Sequence, residues 1–267
     1  CIRDSAYLAD IPHARPVAGG TDLLVRQHQG IDKFAQPLLD LSAIVELRQH
    51  ILNEQNLLIP AMFTYWDLLS RPHLCAQFPL LSQAARQTGA IQVQSRGTWA
   101  GNVVNASPAA DGVMALIASN ATVVVQSVTR RQEYALEDFY SGYRQTRLRS
   151  GELVTGLRVP LCPGHQGWFE KVGARRAQTI SKLGLAIQYY QGRIRVAVNG
   201  MAPTVRRCPA IETALEANER PGSMAEWQKL LRQELEPIDD HRSTREYREL
   251  ALARLLMAWS DHHPVAD

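Results

Sequence analysis

The segment Val17-Ala18-Gly19-Gly20-Thr21-Asp22-Leu23-Leu24 constrains this chain most. Two adjacent glycines among small and apolar residues fit a tight strand-to-helix turn, where the backbone adopts conformations and close approaches denied to other residues. The same geometry can aim successive main-chain N–H groups at one point, a concave nest suited to a phosphate. Taken alone, the segment reads as a plain turn. A second small-residue loop changes the balance: Thr98-Trp99-Ala100-Gly101-Asn102, followed by Asn105-Ala106-Ser107-Pro108-Ala109-Ala110-Asp111. Two such loops suit two phosphates.

With 267 residues, of which 45% are apolar, the chain can bury a core for one large domain or two modest ones. Its 29 basic and 26 acidic residues leave a net charge of +3. No Lys/Arg run interleaves with aromatics, which argues against a nucleic-acid partner. Cys1, Cys75, Cys162 and Cys208 are scattered without a Cys-x-x-Cys pair, so reduced thiols are expected rather than zinc or an iron–sulfur cluster. No apolar run reaches the roughly 20 residues of a membrane span, and no signal segment is evident; the cytoplasm is the expected location. Gly-x-Gly-x-x-Gly, Gly-Lys-Ser/Thr, His-Glu-x-x-His and Gly-x-Ser-x-Gly are all missing, which leaves Rossmann-type dinucleotide binding, nucleotide triphosphate hydrolysis, zinc proteolysis and serine hydrolysis unsupported.

Short apolar runs at Leu38 to Leu41, Leu57 to Ala61, Ala121 to Ser127 and Leu153 to Val159 have the length of buried strands. Thr64 can cap a helix through Leu69, His73 to Thr88 predicts a longer helix, and Pro108 suits the opening turn of one running to Ser119. Beyond Trp168, Lys182 to Tyr190 and Arg193 to Gly200 read as a hairpin across Gln191-Gly192. Helices are expected at Pro209 to Ala217 and Ser223 to Leu235. Ser243-Thr244-Arg245-Glu246 predicts a capping box for a last helix with Tyr247, Leu250, Ala251, Leu255 and Trp259 on one face. Asp239-Asp240 reads as helix-start chemistry and His262-His263 as a solvated tail. Pro160-Leu161-Cys162-Pro163-Gly164 interrupts regular structure, so a boundary is expected there, between domains 1–162 and 165–262.

The two glycine loops, in this order and followed by Ser-Pro-Ala-Ala-Asp, resemble the FAD-binding medium subunit of the molybdenum hydroxylases, the group of xanthine dehydrogenase and carbon monoxide dehydrogenase. Asp138-Phe139-Tyr140-Ser141-Gly142 with Gly151-Glu152-Leu153-Val154 is similar to the segment closing that family's flavin domain. Lys171-Val172-Gly173-Ala174-Arg175-Arg176 resembles its Lys-x-x-x-Arg-Arg signature. Asn199 to Arg206 is similar to its Gly-x-x-Ala segment, and Asp240-His241-Arg242-Ser243 with Tyr247-Arg248 to its closing helix.

The resemblance implies an α+β fold: a vanillyl-alcohol-oxidase-type FAD-binding domain, then a smaller α+β domain of the CO dehydrogenase flavoprotein type. It implies FAD held without a covalent bond, a molybdopterin-binding large partner, a [2Fe-2S] small partner, and NAD or another acceptor. Amides from Val17 and Ala18 through Gly19, Gly20, Thr21, Asp22 and Leu23 would face the pyrophosphate, with Thr21 and Thr98 adding hydroxyls. Gly101 would allow close approach, Asn102 would donate an amide, and Trp99 would cover part of the cofactor. Asp22 would touch the ligand or brace its own loop. Asp111 would bind sugar-like hydroxyls, Lys171 would stand beside the flavin's N1/O2 edge, and Val154 would contact the ring. Thr88 occupies a position bordering the flavin in some relatives. Gln94-Ser95 stands where the family commonly has Arg-Asn, and Trp99-Ala100-Gly101 where it has Ile/Leu-Gly-Gly; at Ala100 the backbone must avoid positive φ or carry strain. Those departures motivate an alternative, an FAD-free scaffold subunit; a stand-alone flavin oxidase is a third reading. The leading segment before Gly19 is shorter than the family's, so part of the first subdomain is expected to be missing.

Overall fold

The computed structural model describes residues 7–8, 10–11, 13–31, 36–217 and 220–263. Cys1 lies outside them, as do the other residues before Tyr7. A parallel strand pair, Arg15–Val17 against Leu38–Asp40, is joined by the helix Thr21–His28. An antiparallel five-stranded sheet follows, in spatial order Ile51–Leu52, Asn56–Pro60, Leu153–Pro160, Thr122–Gln126 and Arg131–Ala135. Between Asn56–Pro60 and Thr122–Gln126 the chain inserts the helices Tyr65–Leu69, Pro72–Gln77, Pro79–Gln87, Ile91–Gln94, Trp99–Asn105 and Asp111–Ala118. These helices and the sheet share one core that includes Leu57, Ile59, Leu68, Leu81, Val123 and Leu157.

A second, four-stranded antiparallel sheet runs Gln166–Val172, Leu183–Tyr190, Arg193–Asn199, Arg206–Arg207. Gln191 and Gly192, at φ 49° and 76°, make its predicted hairpin turn. The strands alternate with period two. Leu183, Leu185 and Ile187, with Ile194, Val196 and Val198, face the helices Pro209–Glu216, Met224–Glu234 and Arg245–His262 around Trp227. The intervening Ala186 and Ala197 join the first core instead. With two buried faces, these strands carry short consecutive non-polar stretches, Leu183 to Ile187 and Val196 to Val198. The element pressed against that small-residue face is helix Asp111–Ala118, buried at every residue and apolar almost all round.

The predicted strands all form. The helix expected over His73 to Thr88 is two helices, broken at Phe78 because Pro79 lacks an N–H and disfavours helical backbone before it. The helix expected from Pro108 begins at Asp111; Pro108 lies in a turn closed by Ala110 N to Ser107 O. The last helix is capped by Thr244, whose Oγ1 accepts from Tyr247 N at 3.2 Å, not by Ser243, whose N–H goes to Asp240. Its buried face is Arg248, Glu249, Leu252, Ala253, Leu256 and Trp259, while Tyr247 is exposed. Arg248 causes that rotation, donating to the Lys182 and Gly200 carbonyls and, at 2.7 Å, to Asp240 Oδ1. Burial alone would raise the Asp240 carboxyl; the Arg242 and Ser243 amides and Arg248 together hold it below the usual carboxylate range. His263 is no solvated tail: its ring stacks on Trp259 at 4.6 Å. Cys75, Cys162 and Cys208 are free thiols. Among the described residues no helix is long and apolar enough to cross a membrane.

Candidate functional site

Strand Arg15–Val17 ends at Ala18, and Gly20, at φ 74°, starts helix Thr21–His28 without a side-chain cap. The first-turn amides are left for whatever fills the space before them. Gly19 meets the second loop so closely that a Cβ would lie 1.9 Å from the Arg96 carbonyl oxygen. That loop opens helix Trp99–Asn105, with Thr98 Oγ1 accepting from Gly101 N at 3.0 Å. Between the loops lies a cavity of about 270 Å³.

Eleven expected residues line it: Ala18, Gly19, Gly20, Thr21, Asp22, Leu23, Thr98, Ala100, Gly101, Asn102 and Val154, together with Thr88. Ala100 sits in the first turn of its helix and is absent from the positive-φ residues, so its methyl carries no backbone strain. Gln94 is buried and donates to the Arg86 carbonyl at 3.3 Å, which makes it a brace behind the loop. Asp22 is partly open to solvent, yet crowding by the cavity wall raises its carboxyl above the usual range against the pull of Arg144 and Arg26. It takes a hydrogen bond from Asn105, whose Oδ1 in turn accepts from Arg144 at 3.2 Å. Its bracing partner is therefore a neighbouring helix rather than its own loop.

Four expected residues stand elsewhere. Val17 ends its strand behind the lining, its carbonyl accepting from Leu41 N at 3.0 Å. Trp99 is fully buried, its indole tilted against Tyr65 at 4.7 Å; helix Trp99–Asn105 turns positions 99 and 103 inward, so the indole covers no part of the cavity. Asp111 and Lys171 meet each other at 2.6 Å, with side chains 9% and 5% exposed. Asp111 Oδ1 also accepts from Ser181 Oγ at 2.6 Å and Asn199 Nδ2 at 2.9 Å, and Lys171 Nζ donates to the Gln87 carbonyl at 3.0 Å. Two nearly buried opposite charges satisfy one another, so neither lines the cavity. The pair instead ties the start of helix Asp111–Ala118 to the second sheet and, through Gln87, backs Thr88.

The lining also holds residues that motif reading missed. Arg15 is a cation beside the first loop, and Leu41, Ala61, Val93, Leu148 and Leu153 supply apolar wall. Glu152 is gripped by Arg130 at 3.0 Å and by the Arg149 amide at 2.9 Å. Its place two residues before Val154 in the Gly151-Glu152 segment was the available signal. Tyr65 gave none, since an aromatic just inside a capped helix reads as core. A diphosphate would find uncapped amides here, and flat apolar rings a hydrocarbon wall. The donor set fits a flavin dinucleotide.

Comparison with known proteins agrees. Residues 5–162 match the family described as FAD binding domain in molybdopterin dehydrogenase, and residues 171–260 the CO dehydrogenase flavoprotein C-terminal domain. The chain is similar to the glyceraldehyde dehydrogenase medium chain of Sulfolobus acidocaldarius, 27% identical over 94% of this chain and 91% of that protein. It is 31% identical to the carbon monoxide dehydrogenase medium chain of Hydrogenophaga pseudoflava over 73% of this chain and 69% of that one. A solved structure of carbon monoxide dehydrogenase from Hydrogenophaga pseudoflava, lacking the Mo-pyranopterin moiety of its cofactor, is similar with a TM-score of 0.85 at 28% identity, over 96% of this chain and 91% of that chain.

Proposed function

The chain belongs to the family of FAD-binding domains in molybdopterin dehydrogenases, and from that premise we propose that it passes electrons from the iron–sulfur clusters of a small partner, supplied by a molybdenum-containing large partner, to NAD or another acceptor. It is an FAD-binding oxidoreductase subunit of the molybdenum hydroxylase kind. The observation that carries the reading is the seam at Gly19, where two loops close on one another around an uncapped helix turn.

Bound FAD supplies the capacity to take up electrons singly and release them in pairs. The chain's own residues do the holding. Amides of Thr21, Asp22 and Leu23 offer dipoles to a diphosphate, so phosphate charge is met without a lysine. Leu148, Leu153 and Val154 exclude water from an apolar ring. Lys171 acts through Asp111 and the Gln87 carbonyl to fix the wall at Thr88. The two parts of the chain, 1–162 and 165–262, are read as a cofactor domain and a covering domain. A cytoplasmic home is part of this reading, supported by three free thiols.

Purification of the assembly from its source, with mass spectrometry of every co-purifying chain and an absorbance spectrum across the flavin band, tests the proposal. A large molybdenum protein and a small cluster protein are expected beside a yellow subunit. Mixing the substrate-reduced assembly with NAD⁺, a quinone or dioxygen then identifies the acceptor by the fastest reoxidation. A subunit that arrives alone, colourless, and refuses added FAD overturns the proposal.

A further inference from the structure

A second cavity, of about 410 Å³, opens where the regions 5–162 and 171–260 meet. That volume lies within the roughly 300–1,000 Å³ of small-molecule sites. Tyr140, Ser141 and Gly142 form one wall, residues 202–204 with Arg206 a second, and the end of helix Met224–Glu234 with Leu235 and Glu236 a third. No residue is shared with the cavity between the glycine loops.

Bonds made behind these walls set their shape. Tyr140 O–H donates to the Val103 carbonyl at 3.1 Å. The Glu234 carboxylate is committed to the neighbouring helix, accepting from Ala210 N at 2.9 Å and Ile211 N at 3.3 Å. Arg232 turns to Glu249, its Nε donating at 2.9 Å. Two charges on the walls are left over. Arg206 and Glu236 are both exposed, and among the described residues neither side chain makes a hydrogen bond or ion pair, with the other or with any third group. Among the same residues, the Ser141 and Thr204 hydroxyls are unengaged as well.

The chemistry of the leftover pair selects the ligand. A guanidinium takes a carboxylate in a two-pronged fork, and a carboxylate takes the N–H groups of an ammonium. A phosphate dianion would meet Arg206 but stand in the repelling field of Glu236. A divalent cation, which needs several oxygen ligands, would find one uncommitted carboxylate and a guanidinium on the same walls. A molecule carrying both charges satisfies both residues. We propose that this seam cavity binds a small zwitterion of the amino-acid class, its carboxylate on Arg206, its ammonium on Glu236, and the Ser141 and Thr204 hydroxyls donating to the carboxylate. Ser141 comes from the region 5–162 and the other three from the region 171–260, so the ligand touches both. The site is independent of the flavin assignment.

The test is an NMR titration of the full chain, following the Ser141, Gly142 and Thr204 amides while glycine, β-alanine or γ-aminobutyrate is added. These three probes step the distance between ammonium and carboxylate, and the one that shifts the amides at the lowest concentration reports the spacing the walls accept. Acetate and methylammonium, each with half of the charge pair, are expected to bind at least about 10-fold more weakly than that probe. Arg206→Gln and Glu236→Gln should each weaken it by about the same factor while the melting temperature stays level, because both side chains are exposed and unpaired. Arg254→Gln removes one positive charge from an exposed position outside the cavity and should leave binding unchanged. The proposal falls if none of the three probes gives a saturable shift at these amides, or if acetate or methylammonium binds as well as the best of them. It falls equally if Arg206→Gln or Glu236→Gln binds like wild type, or if Arg254→Gln weakens binding as much as Arg206→Gln.

Discussion

At the scale of single residues, contact and charge decide what each position tolerates. Gly19→Ala would drive a methyl into the Arg96 carbonyl, and relief requires one backbone loop to shift. A cost of about 1–3 kcal/mol in urea denaturation is expected, with loss of bound flavin. Gly222→Ala, where a Cβ meets only Glu226 Oε2 at 4.0 Å, should leave stability unchanged. Lys171→Met strands Asp111 beside Ser181 and Asn199 and should cost about 3–5 kcal/mol, the penalty of an unpaired buried charge. Combining it with Asp111→Asn should cost less than the two single changes summed, as measured in a double-mutant cycle. The same pair shows where sequence reasoning fell short. Lys171 and Asp111 were legible as special residues, but their sequence separation hid that each is the other's partner.

At the scale of elements, local rules were readable where the chain alone sets them. The Thr64 cap and the Gln191-Gly192 turn depend on near neighbours and stand where the residues predict. The last helix shows the opposite case. Its existence followed from its pattern, while its cap and buried face are set by Arg248 reaching across to Lys182 and Gly200, contacts that apolar periodicity does not encode. Thr244→Ala should therefore cost about 1 kcal/mol, while Ser243→Ala leaves the Ser243 N–H bond to Asp240 intact and should cost little by the same thermal measurement. Tyr65 was illegible for a related reason: being inside the core and being at the floor of a cavity look alike in one dimension.

At the scale of the molecule, acid stability has a definite sign. The Asp240 carboxyl is held below its ordinary 3.8, so its contribution is complete above that value and drains away as pH falls beneath it. Urea midpoints of wild type and Asp240→Asn should differ at pH 7 and converge toward pH 3; parallel curves would rule this out. Met114→Ala, in the fully buried helix Asp111–Ala118, should cost about 2–5 kcal/mol and leave a single unfolding transition, since that helix is packed from two sides. The shared helix has a practical corollary. Severing the chain near Pro163 would strip an oily rod of half its cover, and the fragment should clump rather than fold. Anyone transplanting the nucleotide cradle into another scaffold must carry the antiparallel lid along with it.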